Sequence, residues 1–551
     1  MNRITIDAFG PARPWVRPGA ALTVGTTLST TEGPLEASVR VTLLDLDVLV
    51  STASVALTLD VAPTPCELVL EVPETSRRGY GLRLEVESPV GVARARSAVE
   101  ALAGWWESPR HAAITAYDEP EASARTVADL AGWHVNVVQH YDWMWRHYRY
   151  RPPDGARVFK DALGRVVSHD ALAASIAAGH ATGIASLAYG SVYGAEPEYV
   201  AEHPDERVFD ETGEPLSLGG AFYINDIRVG SAWRARLLGQ YVDALESFGF
   251  DGVHMDTYGP PHAAIAADGE PVDFAALYPG LIEEASTLVT RTTPGACVLF
   301  NCVEGFPLES VAPTPAAALY LELWPPDDSF ADIVRWIDRA RAVAAGRQVV
   351  VAAYAATLKE EVASADRAAA FEAVSLLGAV IAAAGAYHHT LAEDGRLLVE
   401  GYYPAAVAMT RAEIAELRAL WAFTARYVHL LSDPESVLVE PTGLEIRDAD
   451  GAPLPWLTEP VAGALWVRAV TSPEGRHILD LVDLRGQSDA RWTEPKQVAS
   501  TAEGLRLTWP GVDSVVAMSP WTDEGDAIPL DSDGGERRLP PFRRWLVLAE
   551  R

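Results

Sequence analysis

The stretch 248–259, FGFDGVHMDTYG, decides the fold of the middle of the chain. Alternate side chains of a strand share one face, so Gly252, His254 and Asp256 point the same way and Asp256 comes last. A short apolar run that follows a helical segment and ends in a polar residue is typical of a parallel strand in an α/β fold. We therefore expect Asp256 at the carboxyl end of a parallel strand.

Seven further apolar runs of this kind alternate with Ala-rich helical segments between Glu107 and Ala425. The eight strand candidates are 111–117, 133–139, 183–190, 250–256, 296–301, 318–323, 348–354 and 381–387. Helical segments at 232–248, 331–345 and 364–377 fall between them. Eight β/α units predict a (β/α)8 TIM barrel. A doubly wound sheet is the alternative, and the lack of a GxGxxG motif after the first strand disfavours it.

Both ends of the chain alternate apolar and polar residues with a period of two. Runs such as ASVRVTLLDL (37–46) and RHILDLVDL (476–484) are typical of antiparallel strands with one buried face. We predict an immunoglobulin-like β-sandwich at residues 1–104, the barrel at 105–428 and a second antiparallel β-sandwich at 429–551.

Composition narrows the class of protein. The chain has 551 residues, 49% of them apolar, and a formal net charge of −32. The apolar fraction is enough for large folded cores, and the negative field disfavours nucleic acid and anionic membranes as partners.

Three cysteines without CxxC spacing predict neither a disulfide framework nor a zinc site. The first twenty residues lack the apolar region of a signal peptide, and the most apolar later stretch, 373–387, is too short to cross a bilayer. We therefore expect a cytoplasmic protein.

Two carboxylates are placed for chemistry. In AALYLELWPP (317–326), Tyr320 and Glu322 share a face and Glu322 is at the strand end, as Asp256 is in its own strand. Two carboxylates at one mouth of a barrel are the minimum required for glycoside hydrolysis, one as nucleophile and one as acid. The alternative is that both residues cap helices or pair with arginine.

Aromatic and polar residues are densest in VVQHYDWMWRHYR (137–149). Aromatic rings stack on sugar rings while charged groups bind hydroxyls, so we predict that Tyr141, Asp142 and Trp143 contact a saccharide. Trp324 is a similar candidate. The alternative is an aromatic cluster packed beneath the first domain.

Other polar residues lie at predicted strand ends or, for His254, one inward step below Asp256. Tyr189, Asn301 and His254 are candidates for substrate contact, although His254 is equally compatible with a buried core histidine. His388 and His389 follow the eighth strand, and we choose His388 as the residue facing the mouth. The long connection 191–231 is expected to form a lid or a cleft wall.

Four motifs together resemble glycoside hydrolase family 66, which contains dextranases and cycloisomaltooligosaccharide glucanotransferases. They are VVQHYDWMWRHYR (137–149), GFDGVHMDTYG (249–259), LYLELW (319–324) and AYHHTLAEDGRLLVEGYYP (386–404). The resemblance implies a retaining enzyme for α-1,6-linked glucans, with Asp256 as nucleophile and Glu322 as acid/base. The sequence departs from the family pattern at Val253, where an aromatic residue is usual, and at HHT (388–390), where an HIE-like triplet is expected.

We therefore expect a dextranase-like hydrolase that binds oligo- or polysaccharides and needs no cofactor. A cyclising or transferring glucanotransferase and a non-catalytic glucan-binding protein are the alternatives. A metal-dependent hydrolase is the reading that His134, His140, His254, His388 and His389 in the middle block suggest, and it is disfavoured because neither HxH nor HExxH occurs.

Overall fold

The centre of the protein is one sheet of parallel strands. The computed structural model describes residues 3–522 and 526–551. The parallel strands pair in chain order and are His111–Ile114, Val137–His140, Ala185–Ser191, Gly252–Asp256, Cys297–Val303, Leu319–Glu322, Val349–Ala352 and Tyr387–His389. Leu391–Ala392 continues the eighth strand and pairs in parallel with the first, Leu391 opposite Ala112. The order of strands thus returns to its start.

Helices connect most of these strands, as the alternation of the sequence predicts. They are Pro120–Leu130, His169–Thr182, Pro197–Glu202, Ala232–Phe248, Phe274–Thr292, Leu308–Val311, Phe330–Val343, Glu360–Ala363, Arg367–Ala383, Arg411–Arg426 and Val428–Leu431. The Ser231 hydroxyl accepts a hydrogen bond from the Arg234 amide at the start of one helix, and Gly249, with φ of 77°, ends it. No helix in the described ranges combines the length and apolar character needed to cross a membrane.

The prediction for the eighth strand was wrong at its start. The sequence placed a strand at 381–387, whereas the helix Arg367–Ala383 continues through its first residues and the strand begins at Tyr387. Every residue from Ala370 to Ala383 is buried, so this helix lacks the polar stripe that distinguishes a helix from a buried strand. Gly385, with φ of 84°, lies in the turn between the two elements.

Two sheets form the N-terminal part. One contains Ile4–Pro11, Ala21–Thr30 and Thr64–Glu71, and the other contains Trp15–Val16, Gly91–Ala101, Arg78–Ser88, Leu35–Asp45 and Val48–Leu59. Leu22, Val39 and Leu84 belong to the core that they share. A Cβ atom on Gly79 would lie 2.1 Å from the carbonyl oxygen of Ala425, so the glycine lets this part pack closely on the helix Arg411–Arg426.

Two further sheets form the C-terminal part. The larger contains Val437–Val439, Trp456–Leu457, Leu465–Thr471, His477–Asp483, Trp545–Glu550, Val515–Met518 and Ile528–Leu530. The smaller contains Glu445–Arg447, Arg506–Thr508, Glu536–Arg538 and Ser532–Asp533. Alternating apolar residues of both sheets, Leu481 and Leu507 among them, form one core.

Short strands and 3-10 turns occupy the connections between the longer elements. The strands are Val158–Lys160, Val166–Ser168, Gly194–Ala195, Val208–Phe209, Ser217–Leu218, Phe222–Ile224, Ala263–Ala266, Pro271–Asp273, Arg396–Leu397 and Val407–Ala408. The 3-10 turns are Trp105–Glu107, Ala131–Trp133, Pro204–Glu206, Ala356–Leu358, Glu393–Gly395 and Tyr403–Ala405. Most of the short strands belong to connections that follow parallel strands, so these connections build the walls around the carboxyl edge.

Candidate active site

Two carboxylates stand at the carboxyl edge of the central sheet, on strands separated by one other. Asp256 is the last residue of the fourth parallel strand and Glu322 the last of the sixth. The fifth strand runs between them and carries Asn301. Because Met255 lies opposite Phe300, Asp256 and Asn301 are at the same level of the sheet.

A single amide bridges the two carboxylates. The Nδ2 atom of Asn301 donates to Oδ1 of Asp256 at 2.7 Å and to Oε2 of Glu322 at 2.6 Å. Since both bonds leave one nitrogen, the two acceptor oxygens are at most about 5.3 Å apart. Asp256 and Glu322 therefore form a close pair across one end of the cleft.

The other oxygen of each carboxylate accepts a hydrogen bond from a tyrosine. One tyrosine lies on the third strand, beside the strand of Asp256, and the other follows the seventh strand, beside the strand of Glu322. Tyr189, on the third strand, donates to Oδ2 of Asp256 at 2.9 Å. Tyr354, two residues past the seventh strand, donates to Oε1 of Glu322 at 2.6 Å. All of these donors are neutral groups, which orient the carboxylates without supplying a compensating positive charge.

Burial favours protonation of this pair. It raises the pKa of Asp256 to about 7, with the charge of Glu322 as the second cause. Burial also raises the pKa of Glu322, against the hydrogen bonds from Tyr354 and Asn301. Burial is the largest cause for both carboxyls. Two carboxyls this close lose their protons as a unit, and the second proton leaves less readily than the first.

The pair opens into a cleft of about 460 Å³, within the size range of small-molecule sites. Aromatic and polar side chains line it. They are Gln139, Tyr141, Asp142, His147, Leu163, Tyr189, Leu218, Phe222, Asp256, Thr257, Tyr258, Val303, Glu304, Glu322, Trp324, Tyr354 and Tyr403, with Gly401. Leu218 and Phe222 come from the long connection 191–231, which thus forms part of the cleft wall.

The residues after the second strand divide between the cleft and the core. Tyr141 lines the cleft and stacks on Tyr403, with ring centroids 4.6 Å apart. Trp143 is fully buried, donates from Nε1 to the carbonyl of Tyr189 and packs on Phe250, so its prediction as a saccharide contact was wrong. The physical reason lies at Asp142, whose φ of 46° is left-handed and reverses the direction of the chain between the two aromatic residues.

Asp142 lines the cleft within a charged cluster. It lies 3.2 Å from Nη2 of Arg165 and 3.7 Å from Nε2 of His147, whose Nδ1 is 2.9 Å from Glu196. Burial acts against a charged ring, but the negative charges of Glu196 and Asp142 and the hydrogen bond that the ring donates to Glu196 raise the pKa of His147 to about 10. The cleft therefore carries an imidazolium at neutral pH. Sequence reasoning quoted His147 and did not select it.

Two predicted histidine contacts are absent. His254 is buried below the pair and faces Tyr320, and within the described residues neither of its ring nitrogens has a hydrogen-bond partner. His388 bonds through Nε2 to the carbonyl of Ala353 and does not line the cleft. Its neighbour His389 faces inward and bonds to Tyr320 at 2.7 Å. Because the eighth strand begins later than predicted, the choice between adjacent histidines had no reliable register.

Two tyrosines of the site, Tyr354 and Tyr403, were missed. Tyr354 ends the predicted seventh strand, so the strand-end argument that selected Asp256 could have found it. Tyr403 lies in a short 3-10 turn and carries no periodic signal. Asp251, which precedes the fourth strand at its amino end, has a structural role: it accepts from the Ser186 amide at 2.7 Å and pairs with His180.

The histidines of the middle block do not form a metal site. Among residues 3–522 and 526–551, no three His, Cys, Asp or Glu side chains are grouped so that they could hold a metal ion.

Comparisons with known proteins agree on one family. The model of glycosyl hydrolase family 66 matches residues 15–531. Two cycloisomaltooligosaccharide glucanotransferases from Niallia circulans are similar to this chain. One is 23% identical over 338 residues, which cover 57% of this chain and 34% of the relative. The other is 26% identical over 301 residues, which cover 51% of this chain and 31% of the relative. The matched segments thus cover about a third of those relatives' length.

A solved structure has the same fold. The crystal structure of a Paenibacillus sp. cycloisomaltooligosaccharide glucanotransferase complexed with cycloisomaltoheptaose superposes with a TM-score of 0.88. The match covers 99% of both chains at 18% sequence identity. This likeness establishes a shared multidomain architecture.

Proposed function

The chain belongs to glycosyl hydrolase family 66, and we propose that it is a retaining hydrolase that cleaves α-1,6-glucosidic linkages in dextran or isomalto-oligosaccharides. The observation that carries the proposal is the Asn301 amide, which bonds both carboxylates and keeps their nearest oxygens within about 5.3 Å. Retaining glycosidases hold their carboxyls about 5–5.5 Å apart, whereas inverting enzymes leave about 6.5–9.5 Å for a water molecule. The names of the relatives support an isomalto-type glucan.

The architecture that we propose is a (β/α)8 barrel at residues 105–428, with an immunoglobulin-like β-sandwich at 1–104 and a second β-sandwich at 429–551. The return of the strand order to its first strand supports a closed barrel. Active sites of such barrels lie at the carboxyl ends of the strands, where Asp256 and Glu322 stand.

The first half-reaction forms a covalent intermediate. Ionised Asp256 attacks the anomeric carbon while the Glu322 carboxyl donates its proton to the glycosidic oxygen, so the C–O bond to the leaving sugar breaks as the ester bond to Asp256 forms. Asn301 orients both groups. The hydroxyl of Tyr189 holds Oδ2 of Asp256, so Asp256 attacks from a fixed position.

The second half-reaction reverses these roles. Once Asp256 is esterified its negative charge is gone, which removes one of the interactions that favour the protonated form of Glu322. The Glu322 carboxylate then takes a proton from water, and the resulting hydroxide attacks the anomeric carbon and releases Asp256. Two inversions at one carbon retain its configuration.

The cleft supplies the contacts that hold a sugar. Tyr141 and Trp324 present aromatic surface beside the pair. Asp142 and protonated His147 offer charged acceptors and donors to hydroxyl groups on the same wall. We propose that these four residues orient the glucose units next to the scissile bond.

Transfer to a sugar hydroxyl is the second candidate, because both matched relatives are named glucanotransferases. Hydrolysis and transfer share the glycosyl ester and differ in whether water or a sugar reaches it. Chromatography of products from dextran and from linear isomalto-oligosaccharides separates them. Cyclic or lengthened products would support transfer, and only shorter linear products would support hydrolysis.

The assignment of the two roles is tested by azide rescue. Glu322→Ala should leave the glycosyl ester without a base, so turnover of α-isomaltosyl fluoride stalls until azide attacks and releases α-isomaltosyl azide. Asp256→Ala should instead give the β-azide, because azide takes the place of the nucleophile. Glu283→Ala, at an exposed carboxylate, is the control and should behave as wild type. Near-normal turnover of either site variant on dextran would overturn the proposal.

A further inference from the structure

A second pocket, of about 580 Å³, lies outside the cleft and is here called the arginine pocket. Its lining includes Arg149, Arg151, Arg157, His169, Gln240 and Phe248, and none of its lining residues lines the cleft. The buried Trp143 contacts both sites. Its ring packs on Phe248, with centroids 5.0 Å apart, and its Nε1 donates to the carbonyl of Tyr189, a cleft residue. The arginine pocket is therefore a separate site.

The lining of this pocket is positive, in contrast to the chain as a whole. Three arginines less one carboxylate, that of Asp243, give a formal charge of +2, whereas the whole chain carries −32. At physiological ionic strength, exposed charges more than about 8 Å apart are largely screened from each other. A ligand in the pocket therefore responds to the arginines more than to distant carboxylates, so the pocket favours an anion.

Carboxylates orient two of the arginines and leave one edge of each guanidinium free. Nε and Nη2 of Arg151 donate to Asp243 at 2.9 and 2.6 Å, and the same two nitrogens of Arg157 donate to Asp170. Within the described residues, Nη1 of both arginines has no hydrogen-bond partner. A guanidinium fixed in this way is a preorganised donor, which loses little conformational entropy when it binds an oxyanion.

Two further donors of the lining have no partner in the protein. The guanidinium of Arg149 is exposed and makes no hydrogen bond or ion pair in the part of the chain that the structure describes. Oε1 of Gln240 accepts from the Tyr150 amide at 2.7 Å, which identifies the other terminal atom as the amide nitrogen and leaves its hydrogens for a ligand. Both groups can donate to an anion without breaking an existing bond.

His169 points to a ligand independently of the arginines. The residue is 4% exposed, and among the described residues its Nε2 has no hydrogen-bond partner. The rings of Phe159, Phe248 and Trp143 pack around it and offer no free polar atom. Burial, with a smaller effect of the charges of two pocket arginines, lowers the pKa of His169 to about 4, so the ring is neutral. A buried ring nitrogen without a partner costs free energy that a ligand oxygen would remove.

We infer that the arginine pocket binds a phosphate monoester that carries a sugar-sized organic group. This inference is independent of the proposed function. A phosphoryl group has up to two negative charges, which match the charge of the lining, and three oxygens to accept from the unused N–H groups. A carboxylate would compensate only half of that charge. The volume of about 580 Å³ suits a small organic ligand rather than a bare ion, and Phe248 and Pro153 provide apolar surface for the organic group.

Calorimetric titration of the full chain with glucose 6-phosphate and with inorganic phosphate tests the inference. The ester should bind one site per chain, and inorganic phosphate should bind the same site more weakly because it lacks the organic group. Raising NaCl from about 50 to 500 mM should weaken the binding of both. Equal affinities would contradict the assignment of an ester, and no binding of either at up to about 10 mM would overturn the inference.

A pair of matched variants locates the binding. Arg149→Gln removes a guanidinium that makes no bond in the described residues, so the fold should be unaffected and the affinity for glucose 6-phosphate should fall at least about tenfold. Arg125→Gln removes an equally exposed charge from the helix Pro120–Leu130, outside the pocket, and should bind as wild type does.

Unchanged affinity in Arg149→Gln would place the bound ester elsewhere and overturn the inference. An equal loss in both variants would also overturn it, because the ester would then respond to net charge rather than to a site. The readout is binding and not turnover, so neither result bears on the hydrolase proposal, which the azide products test.

Discussion

Buried carboxylates in this protein have two kinds of partner. Glu372 receives two hydrogen bonds of 2.5 Å from the guanidinium of Arg544, which also contacts Glu416 at 2.8 Å. Asp256, which is half-buried, and Glu322, which is buried, receive their hydrogen bonds from an amide and two phenol hydroxyls. A guanidinium compensates the negative charge permanently, whereas neutral donors leave room for a proton to enter and leave. The difference separates a structural carboxylate from one that can do acid–base chemistry.

The largest effect on stability is expected from breaking the structural pair. Glu372→Ala should lower the free energy of unfolding by about 3–5 kcal/mol, because it removes the bidentate partner of the buried Arg544. Chemical denaturation measures this change. Glu309→Ala, which removes an exposed partner of Arg339, is the control and should change stability by less than about 1 kcal/mol. If the two variants lost the same free energy of unfolding, burial of the Glu372–Arg544 pair would not determine its contribution to stability.

Asp480 is a third kind of buried carboxylate. Burial raises its pKa to about 7, as it does for Asp256, although Asp480 does not line the cleft. It accepts a hydrogen bond of 2.9 Å from Nε1 of Trp545. Because the pKa of Asp480 is higher in the folded state than in the unfolded state, its protonated carboxyl imposes no penalty on folding below about pH 4. The free energy of unfolding then falls as the pH rises to about 7 and the buried carboxyl ionises. Asp480→Asn should therefore gain stability over wild type across that window, by up to about 4 kcal/mol.

Unfolding curves from pH 4 to 8 measure that gain, and kcat should not change. Asp531→Asn, at an exposed carboxylate in the same part of the chain, should show no such trend. If the two variants respond alike, the burial of Asp480 does not penalise its charge.

The smallest expected effect concerns Trp324, which lines the cleft together with Glu322. Burial raises the pKa of Glu322, and the indole N–H of Trp324 acts in the opposite direction. Trp324→Phe keeps an aromatic ring in the cleft but removes the donor, so the basic limb of kcat/KM should move to higher pH by about half a unit. Trp336→Phe, which loses a bond to Asp327 outside the cleft, is the control. A shift of the limb to lower pH would contradict the assigned contact.

Much of the fold follows from local pattern. Period-two runs predicted the strands at both ends of the chain, and the alternation of strands and helices is present in the middle. The same rule selected Asp256, Glu322, Asn301 and Tyr189, because a residue that ends a parallel strand lies at a common edge whatever packs around it.

The sequence-based predictions failed where one local sequence pattern is compatible with two different structures. Trp143 and Tyr141 are two residues apart in one aromatic motif, yet the left-handed Asp142 directs one into the core and the other into the cleft. The helix Arg367–Ala383 is buried on every side, so its sequence does not distinguish it from a strand, and the choice between His388 and His389 failed with it.

The sequence by itself determined which residues end the parallel strands, since strand periodicity is a property of neighbours along the chain. Only the tertiary structure decided what those residues can do. The distance between Asp256 and Glu322 and the neutral donors around them arise from strands far apart in sequence. Burial, which raises the pKa of both carboxyls, exists only once those strands have packed together.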